Sequence, residues 1–151
     1  MGAFMDTNKE QLNKFLVQVF HDILRLEEAS LAKGEFKNLS IHEMHVIEAV
    51  FDGNREGIFS MTDIAARLMV TASTLTTSVK TLEQKGYLLR AKLTEDKRRV
   101  NVTATDLGTR AYLSHKEFHK ALIEQVSTSL TPEEFKALTS ALSTLHNFFK
   151  Q

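Results

Sequence analysis

Cysteine is absent from the 151 residues, which rules out a disulfide framework, a thiolate metal site and a thiol redox switch. No apolar run approaches the length of a transmembrane span, and the N-terminus lacks the charged and apolar regions of a signal peptide. A cytoplasmic location without a membrane partner is therefore expected. Also missing are a Gly-rich phosphate loop, a serine elbow and a cysteine nucleophile, while the carboxylates fall at helix caps or on solvated faces. A non-enzymatic protein with no catalytic residues and no cofactor is the expectation. Formal net charge is zero as well. What remains is ordinary for one folded domain over residues 1–151: 42% hydrophobic and 25% charged residues, enough to bury a sizeable core.

The informative stretch runs from Ser60 to Val102. Ser60-Met61-Thr62-Asp63 has the pattern of a helix N-terminus, with Ser60 placed to receive a free amide and Asp63 at the positive end. A short helix through Leu68 follows, then a break at Val70-Thr71 and a second helix from Thr71 to Lys85, with Leu75, Val79 and Leu82 on one face. Gly86 suits its C-terminal cap. Residues 87–92 read as a strand, Thr94 to Arg99 as a charged turn and Val100-Asn101-Val102-Thr103 as the returning strand. The expected fold is mainly α with a small β-wing: a winged helix-turn-helix.

Opposite Leu75, Val79 and Leu82 the second helix carries Ser73, Thr77, Lys80 and Gln84, with Thr74 and Thr76 near its start. A polar cylinder about 20 Å long fits a DNA major groove, where short hydroxyls, amides and lysine meet base edges and phosphates. No arginine stands on this face, so reading is expected to rest on Thr and Ser, thymine methyls and DNA shape. Lys97, Arg98 and Arg99 occupy the wing tip, where guanidinium groups can enter a narrow groove or meet phosphates. Asp96 is placed to hold Arg98 or the turn in shape. The residues expected to touch DNA are Ser60, Thr62, Ser73, Thr74, Thr76, Thr77, Lys80, Gln84, Lys97, Arg98 and Arg99.

Charge is distributed unevenly. Residues 61–110 hold nine cations against five anions, a surplus of four that the rest of the chain cancels. A basic lobe on an acidic scaffold suits a phosphate backbone, and a surplus this modest favours two lobes acting together.

Outside this stretch, Asn8 to Ala32 reads as a long helix with Leu12, Phe15, Leu16, Val19, Phe20, Ile23 and Leu24 on a broad apolar face, its aromatics expected in the core. Ser40 caps a second helix with Glu43 three residues on, and residues 52–57 read as a turn-rich connection. Thr105 can cap a helix through Leu113, Phe118, Leu122 and Val126. Thr131-Pro132-Glu133-Glu134 places cap, N1 proline and N3 carboxylate in order ahead of a last helix, where Phe135, Leu138, Leu142, Leu145 and Phe149 form a narrow seam. Its end carries more apolar surface than a solitary chain need hide, which suggests a partner.

Four motifs, Ser73-Thr74-Leu75-Thr76, Leu82 to Tyr87, Asp96-Lys97-Arg98-Arg99 and Thr105-Asp106-Leu107-Gly108, resemble in order and spacing the MarR family of bacterial transcription regulators. Ile41-His42-Glu43-Met44-His45 and Val70 to Gly86 are similar to the branch that represses fatty-acid synthesis genes in Gram-positive bacteria. Ala104, where the family usually has leucine, and Arg99, commonly an apolar position, depart from the pattern. The resemblance implies a homodimer built from helices at about 5–34 and 105–151, with about 40–104 as the DNA-reading part, bound to double-stranded DNA at a pseudo-palindromic operator. It also implies a long-chain acyl group on acyl carrier protein as corepressor, for which Phe15, Val19, Phe20, Ile23, Met44, Ile47 and Phe118 are the candidate pocket. A rival effector is zinc: His115 and His119 are one turn apart, and the family packing would bring His45 and Glu27 or Glu28 nearby, as in the zinc-sensing branch. A helical protein-interaction module is the remaining alternative.

Overall fold

A computed structural model describes residues 2–92 and 99–150, with side chains from residue 7 onward. Six helices and one hairpin follow one another: α1 (Gly2–Lys33), α2 (Ile41–Arg55), α3 (Met61–Leu68), α4 (Ala72–Gln84), β1 (Leu88–Lys92), β2 (Val100–Ala104), α5 (Asp106–Ser129) and α6 (Pro132–Phe149). The chain divides into two compact units, Met1–Ser114 and His115–Gln151. No helix among the described residues is long and apolar enough to cross a membrane.

Helix starts follow local chemistry. Ser40 accepts from the Glu43 amide while Glu43 Oε1 accepts from the Ser40 amide, a closed capping box at α2. Ser60 and Thr71 receive the Asp63 and Thr74 amides at α3 and α4, and Thr131 closes a second capping box with Glu134 at α6. Two boundaries differ from expectation. Helix α1 begins well before Asn8, and α2 continues through Asp52–Arg55 where a turn-rich connection is expected. Tertiary contact holds that last turn helical: buried Gly53 sits against Ile58 and Ile64, and the Asn54 amide donates to the carbonyls of Ile58 and Val102, both at 3.1 Å.

In the first unit Met44, Ile47 and Val50 of α2, Ile64 of α3, Leu75, Val79 and Leu82 of α4, Leu88 of β1 and Val102 of β2 are essentially inaccessible and form the core. Burying each contributes roughly 1.5–3 kcal/mol, which outweighs the weak helix propensity of the threonine-rich α4. β1 and β2 pair antiparallel, Leu88 with Ala104 and Lys92 with Val100. Ser60 adds a bridge to Asn101, and the Val102 amide donates to the Phe59 carbonyl at 2.9 Å, so the hairpin is fastened to the start of α3.

The core expectation for the aromatics of α1 is corrected: Phe15 is 52% and Phe20 62% exposed, with Leu12, Leu16 and Val19 exposed beside them. In the second unit α6 buries none of its residues, and Phe135, Leu138, Leu142 and Leu145 stand open along it.

One polar contact ties α2 to α4. Lys85 Nζ donates to both oxygens of Glu43, at 3.0 and 2.9 Å, and to the Asn38 carbonyl at 2.6 Å. Burial pushes the Glu43 carboxyl up, but the bonds from Lys85 and Ser40 outweigh it and hold it below the usual carboxylate range. A carboxyl depressed by folding gives stability that is present above its unfolded value and lost as pH falls through the folded one. Glu43→Gln is expected to cost about 1 kcal/mol at neutral pH and to flatten the acid limb of the stability profile, read by urea unfolding from pH 7 to 3. An unchanged acid limb would count against this role.

Candidate nucleic-acid interface

Helix α4 is held by its apolar stripe, and the opposite face is open: Ser73, Thr74, Thr77, Lys80 and Gln84 are all exposed. Thr76 is half-buried on the flank. There it joins Ser60 and Thr62 at the start of α3 and Arg90 and Arg99 of the wing base around a cleft of about 330 Å³. Four residues expected to touch DNA, Ser60, Thr62, Thr76 and Arg99, are thus gathered at one concave surface. Thr74 instead lines a second cleft, of about 240 Å³, with His42, His45 and Ser78. Asp96, Lys97 and Arg98, the expected wing support and wing tip, lie outside the described residues.

Pairing reduces the basic surplus to a few positions. Arg67 is bonded to Glu56, Lys85 to Glu43, Arg90 to Glu83 with Nε–Oε2 at 3.2 Å, and Arg110 to Glu35 at 2.6 Å. The Arg90 side chain and amide hold the Glu83 carboxyl below the usual carboxylate range, fixing the end of α4 to β1. Among the described residues, the cations Lys80, Lys92 and Arg99 of the stretch 61–110 pair with no carboxylate. Lys80 stands on the open face of α4, Lys92 ends β1 and Arg99 directly precedes β2. Lys92 was missed by sequence reasoning, because partners 7 to 75 residues apart decide which cations remain available.

The interface is fastened to α5 through Thr105. Its hydroxyl shares one proton between the Gly86 and Tyr87 carbonyls, at 2.6 and 3.0 Å, and accepts from the Gly108 amide at 3.1 Å. Gly86 takes φ +88°, a left-handed turn that ends α4 at little cost only for glycine. Gly108 lets the helix approach so closely that a Cβ there would lie 2.2 Å from the Tyr87 oxygen.

Of the expected effector residues, Met44 and Ile47 are fully buried in the core, Phe15, Val19, Phe20 and Ile23 are exposed on α1, and Phe118 belongs to the second unit. Neither cleft above is lined by any of them. Of the candidate metal ligands, buried Glu27 places Oε2 3.5 Å from His45 Nε2 in the first unit, and His115 and His119 bring their Nε2 atoms to 3.1 Å in the second.

Residues 54–100 match the model of the MarR family. The chain is 32% identical to Streptococcus pneumoniae FabT, solved in complex with DNA, covering 94% of this chain and 97% of that one with a TM-score of 0.87. Staphylococcus aureus MepR, also solved with DNA, superposes with a TM-score of 0.76 over 91% of this chain and 97% of its own, at 17% identity, a likeness of fold alone. Two Bacillus subtilis HTH-type transcriptional regulators are similar in sequence: YwhA, 30% identical over 60% of this chain and 66% of its own length, and YwaE, 28% identical over 88% and 79%.

Proposed function

The chain belongs to the MarR family and is a DNA-binding transcriptional regulator, not an enzyme; from that membership we propose that it is a homodimeric repressor of fatty-acid biosynthesis genes. On this reading it grips a pseudo-palindromic operator and tightens when acyl carrier protein presents a long-chain acyl group. The observation that carries the reading is the coincidence of two things: the open polar face of α4, and cations on that face, at the end of β1 and just before β2 that pair with no carboxylate among the described residues. Likeness to FabT over nearly the full chain supports the choice of regulated genes and effector. The dimer is supported by the rows of large apolar side chains that stand open along α1 and α6.

Zinc is kept as a second effector reading because Glu27 with His45, and His115 with His119, are two pairs of groups already held at short range. Titration of a labelled lipid-synthesis promoter duplex against salt separates the readings, run with protein alone, with acylated carrier protein and with zinc. Tightening with the acylated carrier protein is expected. Unchanged affinity with that ligand, alongside tightening by micromolar zinc, would overturn the acyl assignment.

Arg99→Ala distinguishes DNA reading from a helical protein-interaction module. In a two-fold dimer it removes two phosphate contacts, so the slope of log affinity against log salt should shrink by about 1.8, with affinity falling severalfold. A protein-interaction module would show neither change.

A further inference from the structure

The reading helix is rich in hydroxyls, yet most of their protons are already committed. Thr76 Oγ1 donates to the Ala72 carbonyl at 2.8 Å, Thr77 Oγ1 to the Ser73 carbonyl at 3.2 Å and Thr81 Oγ1 to the Thr77 carbonyl at 3.3 Å. Thr71 Oγ1 donates to Thr74 Oγ1 at 2.9 Å. A hydroxyl has one proton, so the oxygens of Thr71, Thr76, Thr77 and Thr81 can offer a base only acceptor capacity. Each bond to the carbonyl four residues back also keeps the oxygen against its own helix, leaving the methyl as the group available for apolar contact.

Thr77 occupies the middle of the exposed face, with Ser73, Lys80 and Gln84 around it and the buried stripe behind. No arginine occurs between Thr71 and Tyr87, so the fork that reads guanine O6 and N7 is missing from this helix. An acceptor beside a methyl complements one major-groove edge best. The A·T pair presents the adenine N6 amino donor and the thymine C5 methyl together, whereas a G·C pair has an amino donor and no methyl.

We infer that Thr77 reads an A·T pair in each half-site by packing its methyl against a thymine C5 methyl, making it a specificity-determining residue. This rests on the operator-binding reading above. The test begins with duplexes enriched from a random pool by the wild-type protein, in which each thymine of the recovered half-site is then replaced by deoxyuridine, a change that removes the methyl and nothing else. At one thymine per half-site the replacement is expected to weaken binding about fourfold. Thr77→Ser, which keeps the hydroxyl, should erase that penalty, and Thr77→Val, which keeps the methyl, should preserve it. Enriched duplexes showing no deoxyuridine penalty, or one unchanged in Thr77→Ser, would overturn this inference and leave operator binding standing. Failure to enrich any duplex would overturn both.

Discussion

Gly108→Ala is expected to cost about 3 kcal/mol of folding stability, lowering Tm by roughly 6–12 °C in a chain of this size. Alanine ordinarily stabilises a helix relative to glycine, so the sign itself is diagnostic. The added Cβ would lie 2.2 Å from the Tyr87 carbonyl oxygen. That oxygen has little room to retreat, because it accepts from the Thr105 amide at 3.1 Å and the Thr105 hydroxyl at 3.0 Å. The start of α5 must therefore lift away from the junction between α4 and β1, which also displaces the wing base. Gly34→Ala is the control: its Cβ would meet nothing closer than 3.7 Å, so thermal unfolding should barely change. A Gly108→Ala protein as stable as wild type would remove the close-approach explanation of the Thr105-to-Gly108 motif.

Leu142→Glu should turn a dimer into a monomer and lower operator affinity by a factor of a hundred or more. Leu142 stands half-exposed in the middle of the α6 seam, between Leu138 and Leu145, on a helix that buries none of its residues. A charge buried there on association lacks a partner, a penalty of several kcal/mol. The monomer would lose the gain of two linked half-site contacts, which typically reaches 10² to 10⁴, and half of its phosphate contacts, so the salt slope should halve. Sedimentation and the duplex titration check both halves of the expectation. A variant that remains dimeric would move the interface away from this seam.

Helix starts could be read from the sequence because capping is decided within four residues: Ser40, Ser60, Thr71 and Thr131 each receive the amide three positions on. The apolar stripe of α4 was legible for the same reason, since its period is set by the helix. What escaped depends on distant partners. The last turn of α2 is held by Asn54, whose amide reaches Val102 48 residues away. The exposed aromatics of α1 follow a helical period whether they face a core or a second chain, so periodicity could not tell the two apart. The committed hydroxyls of α4 were within reach of sequence reasoning: threonine in a helix habitually bonds the carbonyl four residues back, and residues 76, 77 and 81 are placed to do so.

Thr105 Oγ1 has a mechanical consequence, because one oxygen grips the heel of α4 and receives the first turn of α5. The heel of the rod and the base of the wing thus share a single anchor, and any shift of that first turn would reach both at once.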